Sequence, residues 1–168
     1  MNNQSGKKFE KLIKDSCDAC GFDHTRFRDA GWQGETGTRR FTVRNICDCI
    51  IFTGEQLHYI EAKSRIQSLR FDDITQTADL QKKRNQLDEL AVNNVGVGLL
   101  VEFQKAGMIF WISVNALPLL RDFGKASFNA VDCLALSNSM SDYCTPITKF
   151  VPAGKRAEKL NLFALHGQ

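Results

Sequence analysis

No apolar run in this sequence is long enough to cross a membrane. The longest, VGVGLLVEF (95–103) and MIFWISVNALPLL (108–120), are too short or too interrupted for a span. The opening MNNQSGKKFEKLIKDSC lacks the hydrophobic stretch of a secretory signal, which argues against export and for a cytoplasmic protein. No internal repeat or low-complexity tract is visible. Charge of one sign is not in large excess either: the net charge is +3, which by itself names no partner. What remains is ordinary globular composition, 43% hydrophobic and 24% charged over 168 residues. That suits one compact domain with a real core, or one domain plus an arm, and excludes disorder along the whole chain.

The positive charges cluster. Lysines and arginines gather in RFRDAGWQGETGTRR (26–40), QKKR (81–84) and GKRAEK (154–159). Such groups fit phosphate contacts along a nucleic acid, and they equally fit solvated loops and faces. The six cysteines, at 17, 20, 47, 49, 133 and 144, read as thiols in an unsecreted chain. Cys17-x-x-Cys20 and Cys47-x-Cys49 offer four possible zinc ligands. Against that, the first pair falls on the apolar face of a predicted helix and the second alternates within a predicted strand. Cysteine often serves as a small buried hydrophobe, and core packing is the favoured reading.

Hydrophobic periodicity predicts a helix over 6–20, with Phe9, Leu12, Ile13, Cys17 and Cys20 on one stripe, Ser5 as cap and Gly21 as stop. Residues 22–44, rich in Gly, Thr, Arg and Asp, read as a long connection or twisted hairpin. NICDCIIFT (45–53) and LHYIEAK (57–63) read as two strands of an antiparallel hairpin turning at Gly54-Glu55-Gln56. A helix over 72–92 follows, capped by Asp72 or Asp73, with Ile74, Leu80, Leu87 and Leu90 apolar. Strands at 95–103 and 108–114 and a short helix near 115–121 complete the readable part; 122–168 is weakly patterned. This order predicts an α/β architecture with a mixed β-sheet flanked by helices.

The hairpin carries the chemistry. Asp48 is the sole charge of its strand, and after twelve intervening residues comes Glu61-Ala62-Lys63. Residues i and i+2 of a strand share a face, so Glu61 and Lys63 project side by side. An aspartate on a buried strand is costly unless something satisfies it, and a second acid on the adjacent strand adds repulsion. A divalent cation relieves both. Oxygen ligands with vacant positions suit Mg²⁺, with Mn²⁺ able to substitute, and a nearby lysine can orient an attacking water and steady a pentavalent phosphate. The plainer alternative is an aspartate at a hairpin and a surface Glu–Lys pair worth about 0–1 kcal/mol.

The segment NICDCIIFTGEQLHYIEAKSRIQSLRFDDI resembles the core of the RecU-type Holliday junction resolvases, in particular the small phage and Firmicute members of this PD-(D/E)xK nuclease group. SGKKFEKLI, NQLDEL before GVGLLVEF, FWISVNAL and GKASFNAVDCL add to the likeness, which spans about residues 5–135. It implies a restriction-endonuclease-like fold in a single nuclease domain over 1–168. It also implies Mg²⁺ held by Asp48, Glu61 and the Ala62 carbonyl, with Glu10 contributing from the first helix and Lys63 as the catalytic lysine. The group's helix glutamine falls on Gln86 with Leu90, while Gln81 and Gln76 compete for the role. Arg39, Arg40, Arg44, Lys82, Lys83 and Arg84 become candidate DNA contacts. Lys125 and Ser127 match a Lys-x-Ser segment, for which surface placement is the stronger reading. The 22–44 stretch corresponds to a shortened stalk.

The function so implied is resolution of branched double-stranded DNA by a homodimer, through paired symmetric nicks leaving 5′-phosphate and 3′-hydroxyl ends. Apolar positions on the first helix or the 108–120 segment are the expected dimer surface. Two other readings stand beside it. One is a nuclease of the same chemistry directed at duplexes in general or at ends and flaps. The other is a non-catalytic DNA-binding or zinc module in which the cysteines matter.

Overall fold

The structure, a computed structural model, describes residues 3–27, 45–74, 77–89 and 94–166. The first helix, α1, covers Asn3–Cys20 and stops at Gly21, whose φ of 72° places it in the left-handed region. Ser5 therefore lies inside the helix and not at its cap. Phe9, Ile13 and Cys17 recur every fourth residue and are buried, while Lys11–Asp15 and Lys14–Asp18 pair at the same spacing outside.

Strand β1 (Asp23–Arg26) follows at once and pairs antiparallel with β2 (Cys49–Phe52). β2 turns through Gly54 (φ 93°) into the nine-residue β3 (Leu57–Arg65), with Cys49 opposite Ile60. The predicted hairpin is thus present, but its first strand starts four residues later than expected. Next come β4 (Ser68–Arg70), a 3-10 turn over Phe71–Asp73, and α2 (Thr77–Glu89). Asp72 and Asp73 belong to that turn, so neither caps α2. Leu90 and Gln76 lie outside the described residues.

This crossover returns the chain to β5 (Val95–Phe103), parallel to β3, because parallel neighbours need a long connection. β6 (Met108–Ser113) is antiparallel to β5 after a tight turn at Gly107. α3 (Ala116–Arg121), β7 (Ser127–Asn129) and α4 (Ala130–Ser139) follow, with β7 pairing β4. β8 (Cys144–Ile147), β9 (Lys149–Phe150), β10 (Lys159–Leu160) and a 3-10 turn over Leu162–Leu165 close the chain. The main sheet has six strands in the order β1-β2-β3-β5-β6-β8, with β3–β5 its parallel contact. The expected mixed α/β sheet flanked by helices is what the chain forms.

Each face of the sheet has its own core. Alternation along β5 sends Val97, Leu99, Val101 and Phe103 to the side of α2, α3 and α4, and Leu100 to the side of α1 and the C-terminal turn. Phe9, Ile13 and Cys17 of α1, and Ile109, Phe110, Trp111, Ile112, Ala116, Leu117 and Leu120, are buried in these cores, while Leu12, Met108 and Leu119 are half-buried.

The cysteines pack likewise. Cys17 and Cys49 sit in the α1-side core, while Cys47, Cys133 and Cys144 sit in the other. Residues 46–48 bend before β2 begins, so Cys47 and Cys49 enter opposite cores and do not alternate on one strand face. The four sulfurs of the two short cysteine motifs do not converge. Burial pushes the Cys17 and Cys47 thiols up to about 12.

Between β5 and β6 the backbones crowd. A Cβ on Gly98 would stand 2.2 Å from the Ile112 carbonyl oxygen, and backbone of a central strand has no room to yield. Gly98→Ala is expected to destabilise the protein by about 2–3 kcal/mol, read as a shift in the urea midpoint at unchanged slope. A midpoint like that of wild type would show that the two strands stand further apart.

Candidate active site at the open end of the hairpin

The β2–β3 ladder ends in an unusual rung. The Asp48 N–H donates to the Ile60 carbonyl at 3.0 Å, and the Asp48 carbonyl accepts from the Phe27 N–H at 2.9 Å. The next rung is made by a side chain: Asp48 Oδ2 accepts from the Ala62 N–H at 2.8 Å. The bend at 46–48 permits this by lifting the backbone out of the pairing line. Continuing the Cys49–Ile60 register by one step sets Asp48 across from Glu61. Cross-strand neighbours of this kind have side chains on the same face and in reach of each other.

Glu61 is 0% exposed, and Lys63, at 18%, holds its Oε1 with Nζ at 2.6 Å. The other oxygen, Oε2, is buried with no hydrogen-bond partner among the described residues. Burial and then the Asp48 charge push the Glu61 carboxyl up to about 7, against the pull of Lys63. An exposed ion pair would do none of this. A structural pair fully satisfied in the interior would not leave one oxygen bare opposite a second acid. Two facing carboxyls with an orphaned buried oxygen are donors of the kind a divalent cation takes, although among the described residues no third His, Cys, Asp or Glu joins them as a ligand group.

Glu10 approaches from α1. Arg26, the last residue of β1, holds its Oε2 with a guanidinium nitrogen at 2.7 Å. Glu10, His24, Arg26, Asp48 and Ala62 line one small cleft of about 20 Å³. Glu10, Asp48 and Ala62 are thus brought together on the α1 side, and Asp48, Glu61 and Lys63 at the rung itself. The basic 26–40 cluster gave a general signal for Arg26, but nothing in the sequence marked its pairing with Glu10.

Gln86 stands elsewhere. It is exposed, in the part of α2 where Lys83 lies over the Tyr59 ring at 5.1 Å and Arg84 donates to the Val95 carbonyl at 2.9 Å. Val95 pairs with Leu57, four positions before the Glu61 rung, or about 13 Å along the strand. Gln81 bonds Asn85 and Asn115, and Gln76 lies outside the described residues.

Of the candidate DNA contacts, Arg39, Arg40 and Arg44 lie outside the described residues. Lys82 is exposed, Lys83 is engaged with Tyr59, and Arg84 is paired with Asp88 at 2.6 Å. Lys125 is bound to Asp132 at 2.6 Å, and Asp132 also completes the capping box of α4 with Asn129. Its role is at the start of that helix. Ser127 is half-buried in β7.

No family model and no curated protein matches the chain. Among solved structures it is similar to Hjc, a Holliday junction resolvase of the archaeal hyperthermophile Archaeoglobus fulgidus. The two share 16% identity over 76% of this chain and 90% of that one, with a TM-score of 0.48.

Proposed function

We propose that this chain is a divalent-metal-dependent endodeoxyribonuclease of the PD-(D/E)xK kind, with a restriction-endonuclease-like fold and four-way DNA junctions as its substrate. The observation that carries the reading is the rung itself: a fully buried Glu61 with one bare oxygen, faced by Asp48 and flanked by Lys63. Asp48 and Glu61 would hold Mg²⁺, or Mn²⁺ in its place, with the Ala62 carbonyl and Glu10 beside them. Bound there, such a cation supplies charge neutralisation at the phosphate and a nucleophilic water at neutral pH.

The chain's own residues do the rest. The Ala62 N–H keeps the Asp48 carboxylate from rotating. Glu61 fixes the Lys63 ammonium, which orients the attacking water and stabilises charge that develops on the phosphorus oxygens. Arg26 holds Glu10 at the cleft. Water adds in line, the 3′ oxygen leaves, and a 5′-phosphate remains. Lys82 and the basic 26–44 segment would grip backbone phosphates without reading bases. Symmetric nicking of two like strands requires two such sites, which a homodimer provides.

Junction selectivity is tested by incubating an immobile four-way junction and a matched linear duplex with Mg²⁺, Ca²⁺ or EDTA. Paired nicks on the junction alone, lost in EDTA, are expected. Equal cutting of both substrates would move the assignment to a general or end-directed nuclease of the same chemistry. The zinc-module reading is disfavoured by Cys47 and Cys49 facing opposite cores.

A further inference from the structure

We propose that Arg65 holds the DNA phosphate adjacent to the one presented to Glu61 and Lys63, and thereby sets the position of the nick. The inference rests on the nuclease reading above. Glu61, Lys63 and Arg65 are alternate residues of β3, so all three project from the same face at steps of about 6.6 Å. That step is comparable with the spacing of successive phosphates on an extended nucleic acid strand. A strand that places one phosphate at Lys63 brings its neighbour to Arg65.

The scaffold at this position is rigid. β3 stays paired with β5 through Arg65, and Ser64, between the two basic residues, is clamped by Glu102 at 2.6 Å and Gln104 at 2.8 Å on the opposite face. The guanidinium itself is under-used. Among the described residues it donates once, to the Ser64 carbonyl at 3.1 Å, and its approach to Asp73 is 3.6 Å, beyond hydrogen-bond length. Its Nε is buried without a partner among the described residues. A guanidinium has five donors in a fork shaped for carboxylate or phosphate. An arginine serving only the fold would close that fork on Asp73. At 28% exposure, Arg65 reaches solvent and can turn outward to an incoming phosphate.

The test is binding of the junction in Ca²⁺ by wild type, Arg65→Gln and Arg65→Lys, with single phosphates around the nick replaced in turn by neutral methylphosphonates. Wild type is expected to lose about tenfold in affinity when the neighbouring phosphate is neutralised. Arg65→Gln should bind the unmodified junction about tenfold more weakly and be indifferent to that one replacement. Its log–log salt slope should fall by about one, with Arg65→Lys restoring the slope but not the full affinity. In Mg²⁺ its nicks should spread to flanking positions. Equal sensitivity of wild type and Arg65→Gln at every phosphate, or an unchanged slope, would overturn the proposal; should Arg65→Gln fail to fold, an Arg65→Lys variant with wild-type affinity at the unmodified junction would overturn it. Failure of wild type to nick in Mg²⁺ is a separate result that removes the nuclease reading, since the binding cycle needs no cleavage.

Discussion

Asp48→Asn is expected to reduce junction nicking by about 10³-fold or more and yet make the metal-free protein more stable than wild type. The loss follows from removing one of two opposed carboxylates. The gain follows from the same geometry. Asparagine's carbonyl oxygen can still accept from the Ala62 N–H, so the side-chain rung survives, while the repulsion between Asp48 and Glu61 disappears. Glu61 is an acid whose folded pKa, about 7, lies above its ordinary 4.5. Its ionisation therefore subtracts stability progressively as pH rises through that interval, by roughly 3 kcal/mol in all. Asp48 is responsible for part of this, after burial. The variant should match wild type near pH 4 and exceed it by about 1 kcal/mol at pH 8 in EDTA, with the gap closing as Mg²⁺ binds wild type. Urea denaturation at the two pH values reads this directly. A variant no more stable at pH 8 than wild type would show that the two acids do not face each other.

The second large effect runs the other way along the pH scale. His58 is fully buried, edge-on to Trp111 with ring centroids 5.5 Å apart, and a Cβ at Gly96 would lie 2.3 Å from its Nδ1. That nitrogen has no partner among the described residues. Burial, with His166 nearby, lowers its pKa to about 4 from 6.5. A base with a depressed pKa stabilises the fold fully above its unfolded value and loses that contribution as pH falls through the folded one. Wild type should accordingly lose about 3 kcal/mol between pH 6.5 and pH 4 on this account. His58→Leu removes the ionisable ring without leaving an orphaned atom. It is expected to be near-neutral at pH 7 and more stable than wild type by about 2–3 kcal/mol at pH 4. Parallel acid limbs for the two proteins would refute the assignment.

How much of this was legible beforehand depended on whether a pattern was local. β3 carries the alternating LHYIEAK, and β5 and β6 are apolar runs separated by the turn at Gly107, so all three are where the pattern placed them. The stripe of α1 likewise predicted its buried face. Asp48 stands in a bend before β2 and not in the expected strand. The alternation of NICDCIIFT extends through it, whereas its backbone bends to serve Phe27 and Ile60, partners brought in by two other segments. No local pattern encodes that.

The likeness that points to Gln86 is local, whereas the turn of α2 that faces the sheet is set by the packing of the helix on β5. The last third of the chain is built of short pieces anchored at a distance: Leu160 N–H to Ser16, Asn161 N–H to Thr148. One signal there was readable and missed. Asn129 followed three residues later by Asp132 is a capping box and announces α4.

The outer strands of the sheet bear on how a second copy could attach. β8 carries Pro146 at its centre, opposite Phe110, and β1 is four polar residues, Asp-His-Thr-Arg. A proline has no N–H to offer, and a short charged strand is a poor template for an additional one. Lateral growth of the sheet from one molecule into the next is therefore blocked at β8 and discouraged at β1. At these two edges a two-fold partner would be met by side chains and not by backbone pairing, which leaves the spacing between two copies of the proposed site to be set by surface chemistry.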